Sequence, residues 1–303
     1  MPELVSLSTI WDRAPHNAFT DLALASGVWY CVFREGGNHA GGTGKIRVLG
    51  SEDGNVWESS ALLAQRGVDL RDPKIAGAPR GGLELLMGGT AMRSGEAVGR
   101  RPRIARSDDG IAWSKPQSIL EEGDWLWRTA WFEGRSYGVS YRLLGPSRWK
   151  VYLMVSEDGR AYRELAELKV PGRPNETTLR FREDGTALAL VRRETGRGRA
   201  WIGASRPPYR GWSWAESGQR LGGPNFLILP GGETWAATRI WRRGKPLVSI
   251  CRLTERDLEP LLDLPSGGDC GYPGMVFHRG LLWVSYYSSH EGKAKIYLAK
   301  IRL

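Results

Sequence analysis

The chain consists of short apolar stretches separated by polar turns that are rich in glycine. Six of these stretches directly follow a glycine turn: VWYCVFRE, LELLMGG, RSYGVSYR, TALALVRRE, ETWAATRI and LLWVSYYS. Another apolar stretch precedes each of them. Apolar runs of this length, bounded by turn residues and rich in Val, Tyr and Trp, are typical of β-strands. The pattern therefore predicts an all-β protein.

A turn motif of the form S-x-D-G-x-x-aromatic occurs three times, and each copy follows an apolar strand. The copies run from Ser51 to Trp57, from Ser107 to Trp113 and from Ser156 to Tyr162. A degenerate fourth copy lies between Ser205 and Trp212. An Asp-Gly pair favours a hairpin turn, and the Asp carboxylate can accept hydrogen bonds from turn N–H groups. We interpret the motif as an element of the fold.

The strands upstream of the six glycine turns recur at intervals of roughly 50 residues, the scale of a propeller blade. They open at Asn17, Asp72, Arg128, Glu176, Asn225 and Tyr272. The last repeat holds only three strands, and the N-terminal strand ELVSLSTI can supply its fourth. This closure joins the two ends of the chain in one blade. We predict one domain over residues 1–303, a six-bladed β-propeller of four-stranded antiparallel blades in which the N-terminal strand joins the last blade.

The net charge of +10 favours an anionic partner. Because Lys and Arg are scattered and no nucleic-acid motif is present, we expect a glycan or an acidic sugar and no nucleic acid. Three cysteines have no metal spacing, and we expect no metal and no other cofactor. Cys31 and Cys251 lie within apolar runs and are expected to be buried thiols. No stretch resembles a signal peptide or a membrane span, so no membrane partner is expected and a cytoplasmic location is the default. Nothing indicates an oligomeric state.

The openings of the inner strands are the candidate site, because they converge on the axis of a propeller. They are polar for strand beginnings: PHNAFTD, DLRDPK, WLWR, NETTLR, GPNF and DCGYPG. The pocket residues predicted on this basis are Arg71, Asp72, Trp127, Arg128, Glu176, Asn225 and Tyr272. Trp125 or Trp127 is expected to stack on a sugar face, although most of the tryptophans should pack the blades.

The S-x-D-G-x-x-W turns resemble the Asp boxes, or BNR repeats, of sialidases (neuraminidases) and related glycoside hydrolases, and the blade number agrees. The resemblance implies hydrolysis of a terminal, carboxylate-bearing sugar from a glycan. Sialidases use a Tyr nucleophile activated by a Glu, an Asp acid/base and three arginines that bind the carboxylate. A phenol suits this substrate because it is repelled less than a second carboxylate, and the planar guanidinium matches the carboxylate.

The resemblance assigns roles to residues of the second half of the chain. Glu176 opens the fourth blade, and Arg192 ends the following strand, as the activating Glu and the second arginine do in sialidases. Arg239 ends the matching strand of the fifth blade, and Tyr272 opens the last blade. The resemblance thus implies Tyr272 as nucleophile, Glu176 as its base, and Arg192 and Arg239 as carboxylate-binding residues.

The first half departs from the sialidase pattern. Arg13, within Arg13-Ala14-Pro15, is the candidate for the first arginine, and Arg34 is its competitor. The loop that would carry the acid reads EGGNHAGGTG and contains no aspartate, so His39 is the candidate general acid. Other candidates for proton transfer or substrate contact are His16, Asp21 and Asp72.

Two other functions stay open. The missing loop aspartate favours a non-catalytic propeller that binds glycans or proteins. A divergent glycosidase or a lyase could instead use His and Tyr to donate and abstract protons. A hydrogen bond between Tyr272 and Glu176 would favour catalysis, whereas an inter-blade ion pair that holds Glu176 away from Tyr272 would contradict it.

Overall fold

A computed structural model describes residues 1–79 and 81–303. Its strands form six four-stranded antiparallel sheets arranged as the blades of a ring. The predicted six-bladed β-propeller is confirmed. In the described part of the chain, no helix is long and apolar enough to cross a membrane.

Each of the first five blades is a consecutive meander whose first strand lies innermost. Blade 1 contains β2 (His16–Ala25), β3 (Val28–Gly36), β4 (Lys45–Ser51) and β5 (Glu58–Leu63). Blade 2 contains β6 (Val68–Gly77), β7 (Leu83–Arg93), β8 (Glu96–Ser107) and β9 (Gln117–Ser118). Blade 3 contains β10 (Asp124–Phe132), β11 (Arg135–Leu143), β12 (Trp149–Ser156) and β13 (Arg163–Leu168).

The remaining strands complete the ring. Blade 4 contains β14 (Pro174–Phe181), β15 (Ala187–Arg193), β16 (Arg199–Ser205) and β17 (Ser213–Arg220), with a 3₁₀ turn at Gly196–Gly198. Blade 5 contains β18 (Gly222–Ile228), β19 (Thr234–Arg242), β20 (Lys245–Leu253) and β21 (Leu258–Asp263). Blade 6 contains β22 (Cys270–His278), β23 (Leu281–Ser288), β24 (Lys295–Arg302) and the N-terminal strand β1 (Glu3–Trp11).

The N-terminal strand closes the ring as the sequence predicts. β1 pairs antiparallel with β24 from Glu3 opposite Arg302 to Trp11 opposite Ile296. The two ends of the chain therefore share one sheet, and separation of the first and last blades would break a full ladder of backbone hydrogen bonds.

The core lies in the layers between neighbouring blades, because both faces of each blade are apolar. Val32 and Ile46 of blade 1 pack in one buried cluster with Leu85 of blade 2. The three cysteines, Cys31, Cys251 and Cys270, are buried and free. This packing holds the six inner strands in a fixed ring and thereby fixes the residues at their openings.

The Ser-x-Asp-Gly turns join the third and fourth strands of blades 1, 2 and 3. In the turn of blade 2, Asp109 Oδ1 accepts hydrogen bonds from the N–H groups of Ile111 and Ala112, both at 2.8 Å. Ser107 Oγ accepts one from Gly110 N at 2.8 Å. Gly110 has φ +74°, and a Cβ there would lie 2.2 Å from the Tyr30 ring of blade 1. The glycine is therefore required both by the turn and by the joint between the blades.

Candidate active site

Every inner strand carries a β-bulge near its opening, where two residues lie opposite one residue of the next strand. The register shifts place these pairs at Phe19-Thr20, Asp72-Pro73, Trp127-Arg128, Asn175-Glu176, Gly223-Pro224 and Tyr272-Pro273. Bulges re-aim side chains and are frequent beside active sites. Here they bring six pairs of residues to the axis of the propeller.

The backbone at several bulges is strained. Phe19, Asp72 and Tyr272 have φ values of +61°, +51° and +53°. Such values are uncommon for residues other than glycine, and each costs of the order of 1–3 kcal/mol. Strain of this kind persists where the surrounding packing enforces it, and at functional sites it serves to position side chains.

Tyr272 and Glu176 form the centre of the site. The Tyr272 hydroxyl donates to Glu176 Oε1 at 2.7 Å, and both residues are buried. Glu176 Oε2 accepts from Arg192 Nη1 at 2.8 Å and from Gly223 N at 2.9 Å. Arg192 Nη1 also lies 3.2 Å from the Tyr272 oxygen. A phenol from blade 6 thus meets a carboxylate and a guanidinium from blade 4 at hydrogen-bonding distance.

The electrostatics give each member of this group a definite protonation state. Burial favours a protonated Glu176, but Arg192 and the hydrogen bonds from Tyr272 and Gly223 outweigh it and lower the pKa of the carboxyl group. Burial and the Glu176 charge raise the pKa of Tyr272 well above its ordinary value, against the opposing effect of Arg192 and Arg239. At neutral pH, Glu176 is therefore a carboxylate that accepts a hydrogen bond from a neutral phenol.

Three arginines surround this centre. Besides Glu176, Arg192 binds Glu194 Oε1 through Nη2 at 2.7 Å. Arg239 donates from Nη1 to the Cys270 carbonyl at 3.0 Å, and its guanidinium carbon lies 5.7 Å from the Tyr272 ring centroid. Arg71 lies over the Phe19 ring at 4.9 Å. The site thus has three guanidinium groups around one phenol.

A second cluster lies on the other side of Phe19. Asp269 Oδ2 lies 2.8 Å from His16 Nε2 and 2.7 Å from His39 Nδ1, and Asp269 Oδ1 accepts from the Tyr287 hydroxyl at 2.8 Å. Burial opposes ionisation of Asp269, but hydrogen bonds from the two histidines and Tyr287 hold its pKa well below the usual range. Asp269 is therefore a fixed anion that orients both imidazole rings.

Phe19 connects the two clusters. Its ring centroid lies 4.9 Å from that of Tyr272 and 5.0 Å from that of His39. The His39 side chain is about half exposed, with a relative accessibility of 49%. His39 can therefore meet a ligand at the mouth of the pocket while Tyr272 meets the same ligand at its floor.

Asp72 is a second group suited to proton donation. Burial raises the pKa of its carboxyl group, while the nearby Arg71 and Lys74 act in the opposite direction. Its Oδ1 is buried and has no hydrogen-bond partner among the described residues. Asp72 lies in the bulge that corresponds to the Tyr272 bulge. A carboxyl group whose pKa is raised and which lies near the axis is a candidate acid.

The structure places the two candidates for the first arginine outside the pocket, which corrects their expected position. Arg13 is exposed and lies over the Trp11 ring at 4.4 Å. Arg34 is fully buried in an ion pair with Asp69, and it also donates to the Asn38 carbonyl at 2.7 Å. Arg34 thus connects the loop after β3 to blade 2. The arginine near Tyr272 that the sequence predicts as Arg13 or Arg34 is instead Arg71.

Three further predicted residues lie deeper along the axis. Asp21 is buried and receives two hydrogen bonds from Arg128, at 2.8 and 3.0 Å, and one from Ile75 N. Asn225 donates to the Pro273 carbonyl at 3.1 Å and accepts from Arg180. These contacts give Asp21, Arg128 and Asn225 structural positions below the pocket.

Trp127 does reach the pocket, with its ring centroid 5.6 Å from that of Tyr272.

Sequence reasoning missed several residues of the site. Phe19 and Asp269 lie within the strand openings PHNAFTD and DCGYPG, but nothing in their spacing distinguishes them. Tyr287 is the penultimate residue of β23, and Glu194 directly follows β15; both strands are the second of their blades. A search for polar or aromatic residues at the ends of all second strands, which led to Arg192 and Arg239, would have found them.

One group of side chains has the composition of a metal site. In the described chain, His16, His39 and Asp269 are the residues that bring three possible ligand atoms within 4.8 Å of one another. Two imidazoles and a carboxylate can bind a divalent transition metal. The same three groups are already joined by hydrogen bonds, which is the arrangement of a proton-transfer chain.

Comparisons with known proteins reveal similar folds at low sequence identity. No protein-family model matches the sequence, and no curated protein is significantly similar to it. A Dyadobacter fermentans protein of unknown function aligns with a TM-score of 0.86 and 19% identity over 100% of this chain and 99% of its own.

Two enzymes also share the fold. The α-L-arabinofuranosidase Arb93A of Fusarium graminearum aligns with a TM-score of 0.74 and 12% identity, over 99% of this chain and 98% of its own. Trypanosoma rangeli sialidase aligns with a TM-score of 0.73 and 13% identity over 95% of this chain. The chain spans only 55% of that sialidase's length. The structural neighbours of this propeller thus include glycosidases, and at this identity the likeness shows the fold alone.

Proposed function

We propose that this protein is a glycoside hydrolase that removes a terminal sugar with Tyr272 as nucleophile. The 2.7 Å hydrogen bond from the Tyr272 hydroxyl to the Glu176 carboxylate carries the proposal. A buried phenol is a weak nucleophile until a base removes its proton. Glu176 is ionised and in contact with that proton, and Arg192 and Arg239 stabilise negative charge on the phenol oxygen.

The proposed reaction has two steps. The Tyr272 oxygen attacks the anomeric carbon, its proton passes to Glu176, and His39 protonates the departing glycosidic oxygen. Water then attacks the anomeric carbon, its bond to the Tyr272 oxygen breaks, His39 accepts a proton from the water, and Glu176 returns its proton to Tyr272. Two displacements at one carbon give net retention of configuration. Asp269 holds His39 in position for both steps.

The arginines support an acidic sugar as substrate. Arg71, Arg192 and Arg239 lie around Tyr272, and a guanidinium binds a carboxylate through two parallel N–H groups. A carboxylate beside the anomeric carbon would also explain a phenol in place of a second carboxylate as nucleophile. The preferred proposal is therefore an exo-glycosidase for a terminal, carboxylate-bearing sugar.

The charges of the same pocket favour a neutral sugar as the second candidate. Arg192 is held by two glutamates, Glu176 and Glu194, and Arg71 lies 3.8 Å from Asp72. These contacts compete with a substrate carboxylate for the guanidinium groups. The chemistry of Tyr272 and Glu176 would be unchanged on a neutral glycoside such as an arabinofuranoside.

Turnover of a panel of aryl glycosides tests both candidates. The panel should contain sialosides, uronides and neutral furanosides, each assayed with the native protein, Tyr272→Phe and Glu176→Gln. We expect both variants to lose at least about 10³-fold in kcat because they remove the nucleophile or its base. Tyr286→Phe is the matched control, since the Tyr286 hydroxyl donates to the Pro265 carbonyl away from the pocket.

The outcomes separate the proposals. Turnover of an acidic glycoside that falls in Arg239→Met chiefly through KM supports the acidic sugar, whereas turnover of a furanoside alone supports the neutral one. An unsaturated product would identify a lyase. Saturable glycan binding without turnover of any substrate would overturn catalysis and leave a binding module.

A further inference from the structure

A cavity of about 280 Å³ lies along the axis on the side of the inner strands away from the Tyr272 pocket. It is lined by the later residues of the inner strands, among them Ile75, Thr129 and Met275. Three cationic side chains also line it: Lys74, Arg128 and Arg180. No step proposed for catalysis uses this cavity or these cations.

One of the three positive charges at the cavity, that of Arg128, is neutralised by an ion pair. Arg128 forms a two-pronged pair with Asp21. Glu84, the carboxylate that lines the cavity, is paired with Arg106 and also accepts from Trp131 Nε1 at 3.0 Å. These two carboxylates are therefore already matched and cannot balance further cations.

Lys74 and Arg180 have only uncharged hydrogen-bond partners. Lys74 Nζ donates to the carbonyl groups of Asp72 and Pro73, at 3.3 and 3.0 Å. Arg180 donates to the Leu179 carbonyl at 2.8 Å and to Asn225 Oδ1 at 3.1 Å. In the part of the chain that the structure describes, neither forms an ion pair. Because their hydrogen-bond partners are uncharged, the two positive charges remain unbalanced inside the propeller.

Unbalanced buried charge destabilises a fold unless the group loses its charge or gains a counter-ion. Lys74 is 5% exposed, and burial together with the Arg128 charge lowers its pKa to about 8. Burial, again with Arg128, lowers the pKa of Arg180 to about 9. The Nε of Arg128 is also buried and has no partner among the described residues. The cavity thus offers N–H donors and an excess of positive charge.

We propose that this cavity binds a small inorganic anion, such as chloride, between Lys74, Arg128 and Arg180. The anion would balance the excess charge and accept a hydrogen bond from the free Arg128 Nε–H. It would thereby stabilise the inner ends of blades 2, 3 and 4. It would be a structural ion, separate from the substrate that the Tyr272 pocket binds.

Thermal unfolding in different salts tests the proposal. The Tm of the native protein should be measured as chloride replaces gluconate at constant ionic strength. Because a ligand that binds only the folded state raises Tm, we expect a rise of about 3–5 °C that grows with the logarithm of the chloride concentration once chloride exceeds its Kd. Arg180→Met should lose most of this rise, and Lys74→Met/Arg180→Met should lose all of it.

A matched variant controls for the loss of a surface charge. Arg182→Met removes a cation two residues from Arg180 that pairs with the exposed Glu255 outside the cavity, and it should keep the full rise. Equal Tm in chloride and gluconate, or a full chloride effect in Arg180→Met, would overturn the proposal.

Crystals soaked in bromide provide a measurement that does not depend on stability. An anomalous peak within hydrogen-bonding distance of the Arg180 guanidinium and the Lys74 ammonium supports the site. A cavity without such a peak at saturating bromide contradicts it. Glycosidase activity enters neither measurement, so this proposal and the proposed function can fail independently.

Discussion

The Ser-x-Asp-Gly turns and the inner-strand bulges both recur around the propeller, but different features of them recur. The turns repeat their residues: Asp53, Asp109 and Asp158 each accept hydrogen bonds from two turn N–H groups. The bulges repeat only their backbone geometry and vary their residues, from Phe19 to Tyr272. Repeated residues therefore mark the fold, and a repeated geometry with varied residues marks the site.

The two regions also differ in where they lie and what they hold. A Ser-x-Asp-Gly turn lies at the outer end of a blade and fixes its contact with the preceding blade, as Gly110 does against Tyr30. A bulge lies at the axis and presents a side chain to the pocket. Changes to the turns should therefore lower stability and spare catalysis, whereas changes at the bulges and the facing His39 cluster should do the reverse.

The largest effect expected from this comparison, beyond loss of Tyr272 or Glu176, concerns the general acid. Without an acid, the departing oxygen leaves unprotonated, so a poor leaving group suffers most. His39→Gln should lower kcat by about 10²–10⁴-fold on an unactivated glycoside and much less on a dinitrophenyl glycoside. Steady-state rates on the two substrates provide the measurement, and Tm should stay unchanged.

Asp72→Asn is the competing variant. If Asp72 is the acid, the leaving-group dependence will appear in Asp72→Asn and be absent from His39→Gln. That result would transfer the acid role from the His39 cluster to the bulge of blade 2, and it would leave Asp269 with the role of orienting His16 and His39 for binding.

The next effect concerns the turns. Gly110 has a positive φ, and a Cβ there would collide with the Tyr30 ring. Gly134 has a similar φ of +76° but no atom within 4 Å of its Cβ position. We expect Gly134→Ala to lower the free energy of unfolding by about 1–2 kcal/mol through backbone strain alone. Gly110→Ala should add the cost of overpacking, a further 1–3 kcal/mol.

Urea unfolding of the two glycine variants provides the measurement. Equal losses of stability would show that the Tyr30 ring moves aside without a cost in free energy. Gly110 would then be required only by the backbone conformation of the turn. Loss of kcat in folded Gly110→Ala would break the division between turns that stabilise and bulges that carry the site.

The same comparison explains how far the sequence predicts this molecule. The spacing of the turns and of the glycine-preceded strands is sufficient to predict the number of blades and the closure by β1. It is sufficient because each repeat must bury both of its faces. Tyr272, Glu176 and Arg192 could be selected by order along the chain. The bulges could not, since an extra residue in a strand leaves no mark in a pattern of apolar positions.

Arginines show the limit in another way. Arg34 and Arg192 both end a second strand, and their sequence contexts are similar. One is buried against Asp69 and the other reaches Tyr272. The difference lies in carboxylates supplied by distant residues, which spacing along the chain does not reveal. For the same reason Asp269, which joins His16 and His39, was missed.

The smallest predicted effect is a pH dependence of the turns. Hydrogen bonds from Val56 N and Asn55 N lower the pKa of Asp53 to about 2. A carboxyl group with a lowered folded-state pKa stabilises the fold above its unfolded-state pKa, near 4, and this contribution disappears as the pH falls towards 2. Asp53→Asn should therefore be less stable than the native protein at pH 5 and nearly equal to it near pH 2.

Thermal melts between pH 5 and pH 2 would measure this convergence of Tm values. Glu52→Gln is the matched control, because Glu52 is exposed in the same turn and its side chain makes no ion pair among the described residues. It should keep a constant offset from the native protein. Parallel curves for Asp53→Asn would mean that the carboxylate charge adds nothing to the turn, and that its hydrogen-bond geometry, which an amide oxygen retains, is sufficient for the fold.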